Sequence, residues 1–338
     1  MKHQLSRWAL VVGLLVAFWV IPTPYVLHQS GSAEKCAERV MIEGGEASTT
    51  GGFYLTTVLS LKASNLFFVL YGWLAPYTEV IPSNQVRGNL TDTQYAKLLQ
   101  YEMSNSQQTA IYSALQAVGQ ASSIQYAGIY VKSLLEQSLS KGILAPGDLI
   151  ITLDGKPMQT TSELIKYLSE RKRVGDVVKI EYIHNDERKV AEVPLVSLNN
   201  GQPGLGLSVG NQIQVESSIE ITMANKDIGG PSAGLMFALE IADQVTTGEL
   251  TQGYTIAGTG TMDLEGNVGQ IGGIEHKLRA AEKIGADLFF LPADRNPTDR
   301  NEREAKAEIT KRGYNLQLVP VHSLSEALQY LQQLTPKT

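Results

Sequence analysis

The stretch from Ser218 to Val245 reads SIEITMANKDIGGPSAGLMFALEIADQV, an alternating strand that runs into a Gly-Gly-Pro-Ser turn and then into a helix. Pro231 has the fixed φ that suits a first helical turn, so we predict that Ser232 lies at the helix start. The helix is apolar nearly all round, which predicts that it is buried. Free N–H groups and the positive end of the helix dipole surround such a hydroxyl and can stabilise an oxyanion. Serine at a helix start is also a common N-cap, so this turn alone leaves a purely structural role open.

A second helix, Ile274 to Ile284 (IEHKLRAAEKI), supplies a group that could activate such a hydroxyl. At about 100° per residue its apolar residues form one stripe, and Lys277 is the only charged residue inside that stripe. Burial can lower a lysine pKa by about 3 to 5 units, so the neutral amine could take a proton from a serine. The alternative is a side chain that snorkels to water from the edge of the stripe. His276 lies about 100° around the helix and points away, so we rank it below Lys277 as the base.

The composition restricts the classes of function. The chain has 338 residues, 43% of them hydrophobic and 18% charged, which is the balance of a folded protein of about two domains. The net charge of −6 and the absence of a basic block argue against nucleic acid as a partner. The single cysteine, Cys36, excludes an intramolecular disulfide and a Cys-rich zinc site. The motifs GxxxxGK[ST] and HExxH are absent, so we predict neither a cofactor nor a metal.

The N-terminal segment is long and apolar enough to span a bilayer. No formally charged residue lies between Arg7 and Glu34, and the stretch from Trp8 to Ile21 reads WALVVGLLVAFWVI. Positive charges precede this run, so the positive-inside rule places the N-terminus in the cytoplasm and the rest of the chain outside. We therefore predict a single-pass anchor in residues 1–33 of a cell-membrane protein whose domains are extracytoplasmic. A cleaved signal peptide is the alternative, and it exports the same domains.

The middle of the chain is a compact β-rich module with one helix, from Ser162 to Arg171. The segments 126–133 (YAGIYVKS) and 142–157 (GILAPGDLIITLDGKP) resemble a PDZ domain of bacterial type. The resemblance implies a groove in which an extended peptide adds to an exposed strand edge that faces this helix, and we place that edge at Gly128, Ile129, Tyr130 and Val131. The first segment lacks the full Gly-Φ-Gly-Φ pattern of a carboxylate-binding turn. Binding of C-termini, binding of internal segments and an unused groove therefore stay open.

Three later segments resemble the proteolytic domain of Lon peptidases: 227–234 (DIGGPSAG), 257–260 (AGTG) and 266–281 (GNVGQIGGIEHKLRAA). The resemblance assigns the nucleophile to Ser232 and the general base to Lys277, and it implies that Thr259 orients the lysine. It also implies that main-chain N–H groups near the nucleophile hold the oxyanion, and we place them at Gly230, Ser232 and Ala233. Asp227 is a further supporting candidate, although it lies two positions further from the serine than its counterpart in typical Lon.

The similarity extends backward through residues 53–59 (FYLTTVL) and 103–115 (MSNSQQTAIYSAL). We therefore predict an α/β (α+β) Lon-type protease domain in two parts, with a β-rich PDZ-like domain inserted between them and an N-terminal transmembrane helix before them. The predicted ranges are 40–122 and 203–338 for the protease domain and 124–200 for the insertion.

This architecture resembles the membrane-anchored PDZ Lon-like proteases of bacteria, of the YlbL and SepM type. The resemblance implies a serine endopeptidase that cleaves peptides or proteins, and because no ATPase segment is evident, it implies independence of ATP. Lon relatives assemble as rings, so a homo-oligomer is a further possibility. Two alternatives stay open: a non-catalytic anchored PDZ scaffold that binds peptides, and a serine hydrolase that acts on lipids or esters.

Overall fold

The computed structural model describes residues 8, 12, 13, 16, 18–224, 228–246 and 249–337. Part of the predicted N-terminal span lies outside these residues, and none of the helices described in them is long and apolar enough to cross a membrane. The α-helices are α1 (Leu66–Leu74), α2 (Ser83–Arg87), α3 (Asp92–Ala117), α4 (Thr161–Arg171), α5 (Gly234–Val245), α6 (Ile274–Lys283), α7 (Asn301–Arg312) and α8 (Leu324–Gln332).

The first sheet has six strands in the order β18-β17-β14-β3-β1-β4. They are β1 (Tyr25–Lys35), β3 (Gly52–Ala63), β4 (Thr78–Pro82), β14 (Thr255–Gly258), β17 (Leu288–Pro292) and β18 (Gln317–Val321). β1 is antiparallel to its two neighbours, β3 and β4. The pairs β3–β14, β14–β17 and β17–β18 are parallel. The sheet therefore combines strands from both ends of the chain.

Two helices cover opposite faces of this sheet. In β17, Phe290 packs in one core cluster with α5, whereas Phe289 packs in another with α6. Successive strand residues point to opposite faces, so the two clusters lie on the two sides of the sheet. Every residue of α5 from Gly234 to Gln244 is buried, as its all-round apolar sequence predicts.

The strand β1 corrects the prediction for the N-terminal segment. Residues 25–33, which we had placed at the end of the anchor, belong to a strand that is paired with β3 on one side and β4 on the other. Leu27 is fully buried there. The prediction was made from the absence of charge, which does not distinguish a spanning helix from a buried strand. Pro22 and Pro24, just before the strand, are residues that disfavour a continuing helix.

The second sheet, in the order β12-β5-β6-β8-β9 with β7 beside β6, lies in the chain between β4 and β14. Its strands are β5 (Ser122–Leu134), β6 (Leu149–Leu153), β7 (Lys156–Pro157), β8 (Val177–His184), β9 (Glu187–Pro194) and β12 (Leu207–Ser217). α4 contributes Leu164 and Leu168 to the separate hydrophobic core of this sheet.

Short elements complete the chain. A 3-10 helix spans Cys36–Glu38, and three two-stranded pairs join β2 (Val40–Ile42) to β13 (Ile221–Met223), β10 (Val196–Ser197) to β11 (Pro203–Gly204), and β15 (Thr261–Met262) to β16 (Val268–Gly269).

The long helix α3 connects the two sheets. It begins at a capping box in which Thr91 and Gln94 exchange side-chain hydrogen bonds with each other's main chain. Tyr101 Oη donates to the carbonyl oxygen of Asn211 in β12 over 2.7 Å. Ser106 Oγ donates to the carbonyl oxygen of Pro231 over 2.9 Å. One helix therefore holds both the edge of the second sheet and the turn that precedes α5.

Candidate active site

Ser232 and Lys277 meet beside the first sheet. Ser232 lies in the turn that precedes α5, and Lys277 lies in the first turn of α6. Ser232 Oγ and Lys277 Nζ are 2.9 Å apart, which is a hydrogen-bond distance. This separation is the one that a nucleophile and its general base require.

Lys277 is buried, with only 3% of its surface exposed. Its Nζ donates to the carbonyl oxygen of Thr56 in β3 over 2.7 Å. Burial lowers the pKa of Lys277 from 10.5 to about 7, because the apolar surroundings disfavour the ammonium form. A substantial fraction of the amine is therefore neutral near pH 7, and the snorkelling alternative does not apply.

Thr56 is a site residue that the sequence analysis missed. Its main-chain oxygen orients Lys277, and its Oγ1 donates to the carbonyl oxygen of Gly258 in β14 over 3.0 Å. The side chain is buried although threonine is polar. The contact to the lysine uses a carbonyl group that every residue carries, so no side-chain motif could have indicated it.

Thr259 holds the serine rather than the lysine. Its Oγ1 donates to the main-chain carbonyl oxygen of Ser232 over 2.9 Å, and the N–H of Gly260 donates to the same oxygen over 2.9 Å. The expectation that Thr259 orients Lys277 is therefore wrong for this arrangement, in which the carbonyl of Thr56 does so. Thr259 instead fixes the turn that carries the nucleophile candidate.

Two of the three predicted oxyanion donors remain available. The N–H of Gly230 donates to the carbonyl oxygen of Leu99 in α3 over 2.9 Å, so this group is already used and the prediction for it was wrong. Within the described part of the chain, the N–H groups of Ser232 and Ala233 have no hydrogen-bond partner. They lie just before α5, where main-chain N–H groups are left unpaired by helix geometry. Asp227, the other supporting candidate, lies outside the described residues.

A cleft of about 710 Å³ opens in front of the pair. Its lining includes an irregular stretch of β1 around Gly31, where the register with β3 shifts, and the loop that contains Ile228. Leu59, Leu99 and Met103 supply apolar surface. The cleft is therefore open enough to admit an extended chain segment and offers apolar contacts near Ser232.

His276 is buried as well, with 7% of its surface exposed, although the helical wheel had placed it on the face opposite the stripe. Its Nε2 lies 3.7 Å from Oε2 of Glu79 in β4, and its ring meets that of His28 in β1 edge-on. A helical wheel carries no information on neighbouring strands, and here β1 and β4 cover this side of α6. His276 is not among the residues that line the cleft in front of Ser232.

The predicted peptide edge at residues 128–131 is not free. β5 pairs with β12 along its whole length, including Gly128, and Ile129 and Tyr130 also pair with β6. The N–H of Val131 donates to the carbonyl oxygen of Asp148 over 2.8 Å. The expectation of an exposed edge at these four residues is therefore wrong, because a strand from later in the chain occupies it.

The strand at the edge of the second sheet near α4 is β12. The Gly-Φ-Gly-Φ pattern, absent before β5, occurs as Gly204-Leu205-Gly206-Leu207 immediately at the start of β12. Gly206 has φ +68°, a conformation that favours glycine. Side chains of α3 contact the later part of the strand, since Asn105 and Gln108 accept from the N–H groups of Ile213 and Val215. The start of β12 is therefore the part of this edge that α3 leaves uncovered.

Comparisons with known proteins match two parts of the chain to two domain families. Residues 104–195 match the family model of the PDZ domain, and residues 210–333 match that of the Lon protease (S16) C-terminal proteolytic domain. The Lon protease of Campylobacter concisus is 29% identical over 182 residues, which cover 53% of this chain and 21% of that protein. The Lon protease of Helicobacter pylori is 31% identical over 158 residues, which cover 45% of this chain and 17% of that protein.

Among solved structures, the PDZ domain of the SdrC-like protein from Listeria monocytogenes is 36% identical and covers 25% of this chain and 88% of that chain, with a TM-score of 0.24. The matched part of this chain spans about a fifth of the length of the two Lon proteases. By the two family-model matches, the chain carries a PDZ domain and a Lon-type S16 proteolytic domain.

Proposed function

We propose that this protein is an ATP-independent serine endopeptidase in which Ser232 is the nucleophile and Lys277 the general base. The observation that carries the proposal is the 2.9 Å contact between Ser232 Oγ and a buried Lys277 whose pKa is lowered to about 7. A lysine amine that is neutral at physiological pH is a proton acceptor, as in other Ser-Lys pairs. Independence of ATP rests on the absence of a GxxxxGK[ST] motif from the sequence.

In the first half of the reaction, the neutral Lys277 amine takes the hydroxyl proton of Ser232 while Oγ attacks the peptide carbonyl carbon. The N–H groups of Ser232 and Ala233 are the available donors for the oxyanion that forms. The carbonyl oxygen of Thr56 stabilises the new ammonium by accepting one of its protons in a hydrogen bond. Lys277 then gives a proton to the leaving amine, and the C–N bond breaks to leave an acyl ester on Ser232.

In the second half, a water molecule attacks the ester carbonyl. Lys277, neutral again, takes a proton from that water and returns it to Ser232 Oγ as the ester bond breaks. The products are two shorter peptides, and the enzyme regains its starting protonation state. The role of Thr259 in this scheme is to hold the carbonyl of Ser232, and with it the turn, in place.

The PDZ domain is proposed to bring polypeptide substrates to the cleft. Leu99, Ile228 and Gly229 line the active-site cleft and also a second, open depression between α3 and the PDZ sheet. Gln212 of β12 also lines this depression, so we propose that a chain segment bound along β12 continues over it towards Ser232. The start of β12, near Val209, is the proposed place of strand addition.

The proposed location is the extracytoplasmic side of a bacterial membrane, with residues before β1 as the anchor. Its support is the uncharged run that follows Arg7 and the positive charges that precede it. The YlbL and SepM type of membrane-anchored protease has this arrangement of anchor, PDZ domain and Lon-like domain, and we propose the same type here.

The test compares Ser232→Ala and Lys277→Met with the unaltered chain on an unstructured, fluorescently labelled protein. We expect each substitution to lower the rate of cleavage about 1,000-fold or more, because either member of the pair is needed for the same step. Lys311→Met in α7 is the matched control, since this lysine is exposed and lies outside the cleft. Cleavage at the unaltered rate in either site variant, with folding verified by thermal melting, would refute the assignment. Absence of cleavage by the unaltered chain itself would favour a scaffold.

A further inference from the structure

An exposed apolar surface lies on the first sheet, beside the point at which the N-terminal segment enters β1. α1 presents Phe67, Leu70, Tyr71, Trp73 and Leu74 to solvent, with Trp73 73% and Leu74 76% exposed. These positions follow the spacing of one helical face. The opposite face of α1 is buried against the sheet through Val69 and Gly72.

α1 is seated closely on the sheet. A Cβ atom at Gly72 would lie 2.6 Å from Leu27 Cδ2 in β1 and 2.8 Å from Val80 Cγ2 in β4, so the helix approaches both strands as only a glycine allows. The side chain of Asn65 caps the first turn by accepting from the N–H of Phe68 over 3.2 Å. The apolar face is therefore held in a fixed orientation by the body of the protein.

The apolar face of α1 is continuous with the end of the N-terminal segment. The ring of Trp19 stacks on that of Phe67 with centroids 5.4 Å apart. Trp19 remains 63% exposed and the neighbouring Val20 is 70% exposed, so the two elements form one surface rather than covering each other. We call it the α1 surface, and its members are Trp19, Val20, Phe67, Leu70, Tyr71, Trp73 and Leu74.

Charge is excluded from both segments that build this surface. No formally charged residue lies between Arg7 and Glu34, and none lies between Lys62 and Glu79. Tryptophan, tyrosine and phenylalanine in an uncharged setting are the residues that occupy the boundary between lipid headgroups and acyl chains. An interfacial helix inserts about 5 to 10 Å into that boundary with its apolar face.

We propose that the α1 surface rests in the interface of a phospholipid bilayer, as a second membrane contact in addition to the N-terminal anchor. The proposal rests on the membrane location put forward under Proposed function. A lipid surface is favoured over a second copy of this chain because the surface continues directly into the uncharged run that leads towards the N-terminus. The two contacts together fix the orientation of the first sheet relative to the membrane.

This arrangement bears on the substrate. β1 runs from Tyr25, paired beside α1, to Gly31, which lines the active-site cleft. At about 3.3 Å per residue, these six steps carry the chain about 20 Å at most from the lipid surface. The cleft is then within reach of a polypeptide segment that emerges from the same membrane after about six extended residues.

The experiment uses the full chain in phosphatidylcholine and phosphatidylglycerol vesicles, with and without acyl chains brominated near the headgroup. In the double variant Trp8→Phe, Trp19→Phe the only remaining tryptophan is Trp73. Because interfacial rings lie close to such bromines, we expect brominated lipid to remove about half of the tryptophan emission. Cleavage of a short peptide at the unaltered rate verifies that the variant is folded.

The matched control replaces all three tryptophans by phenylalanine and adds Ile165→Trp on α4, where Ile165 is 63% exposed and belongs to the PDZ domain. Its emission should be insensitive to brominated lipid and accessible to iodide in water. If Trp73 behaves like this control while the protein floats with the vesicles, the proposal is wrong although the anchor stands. If the protein does not float with the vesicles, the membrane location and this proposal both fail, whatever the protease activity.

A second copy of the chain is the competing occupant, and it has its own readout. Leu74→Cys introduces an exposed thiol into a chain whose only cysteine, Cys36, is fully buried. Two observations together would overturn the proposal: disulfide-linked dimers form through the new thiol, and brominated lipid does not quench the emission of Trp73. They would assign the α1 surface to self-association. The absence of such dimers together with quenching supports the proposal.

Discussion

The hydrogen bond between Lys277 and Ser232 reverses its direction when Lys277 gains or loses a proton. When neutral, the lysine can accept the serine proton through its lone pair while it donates to the carbonyl of Thr56. When protonated, it donates to both oxygens and has no lone pair left to act as a base. The cost of burying the ammonium, which lowers the pKa of this lysine to about 7, therefore makes the reactive form accessible at physiological pH.

Thr259 allows a test of how strictly the serine turn must be positioned. Thr259→Val removes the hydroxyl that donates to the carbonyl of Ser232, while the N–H of Gly260 still holds that oxygen. We expect kcat for a short peptide to fall about 10- to 100-fold with KM nearly unchanged, because a small displacement of the nucleophile affects the chemical step most. Thr259→Ser, which keeps the hydroxyl, should restore kcat.

Thr251→Val serves as the matched control for that measurement. Thr251 is also fully buried, and its hydroxyl donates to Ser48 Oγ and to the carbonyl of Thr50, away from the cleft. Both substitutions should lower the melting temperature to a similar extent, yet only the one at Thr259 should lower kcat. An unchanged kcat in Thr259→Val would show that the bond to Ser232 has no positioning role.

At the residue scale, the sequence predicted the parts of the site that local pattern encodes. Ser232 was visible because a Gly-Gly-Pro turn leads into an apolar helix, and Lys277 because it interrupts an apolar stripe. The lysine's partner Thr56 could not be predicted, since a main-chain carbonyl carries no side-chain signature. Gly230 was assigned to the oxyanion site for its proximity in sequence, but its N–H is taken by α3, an element far away along the chain.

At the scale of elements, β1 is the strand on which the N-terminal half of the first sheet depends. It pairs with β3 and β4 and packs against α6, and Leu27 contributes a fully buried side chain. A chain cut after Ala33 would lose this strand almost entirely, and with it the only partner that β4 has among the described strands of the sheet. Cleavage of a signal peptide after Ala33 would therefore damage the fold.

This dependence can be measured with two truncations. Removal of residues 1–24 leaves β1 whole, and we expect a melting temperature close to that of the full chain in detergent. Removal of residues 1–33 should lower it by about 10 °C or more, because burial of several apolar side chains and a strand pairing are lost. If the two truncated chains melt at the same temperature, β1 does not have the structural role described here.

Helices were easier to predict from the sequence than strand partners. The boundaries of α4 and α6 lie within one residue of those expected, because a 3.6-residue period and capping residues are local signals. The partner of β5 is β12, which follows β9 in the chain and pairs with the edge of β5 that the sequence predicts to be exposed. Nothing in the local sequence of β5 reports which later strand pairs with it.

At the scale of the whole molecule, α3 joins the proposed peptide-binding strand to the proposed catalytic turn. It holds Asn211 of β12 through Tyr101 and Asn105, and it holds the serine turn through the carbonyl of Leu99 and the hydroxyl of Ser106. A segment added to β12 would therefore lie on a strand that shares its support with the nucleophile. The PDZ domain and the proteolytic domain are coupled by direct packing rather than by a flexible linker.

Val209→Pro tests whether β12 receives the substrate. The N–H groups of Ile213 and Val215 point outward to α3, so the N–H of Val209, on the same side of the strand, also points away from β5. Proline there removes one donor to an added strand and leaves the pairing with β5 intact. We expect KM for an unstructured protein to rise about 10-fold, while cleavage of a peptide that only fills the cleft is unchanged.

Cleavage of the short peptide is the control for Val209→Pro. It verifies that the variant is folded and that Ser232 and Lys277 still function. Equal loss of both activities would indicate a damaged protein and calls for the milder Val209→Ala. Full activity on the long substrate, with melting unchanged, would contradict a role for the edge of β12 in recruitment.

The pH profile of kcat/KM tests the central claim most directly. Because the pKa of Lys277 is lowered to about 7 and only its neutral form accepts the serine proton, kcat/KM for a short peptide should rise with pH between about pH 5 and pH 9 and reach half its plateau near pH 7. A profile that is flat across this range, or one that falls as the pH rises, would contradict the assignment of Lys277 as the base.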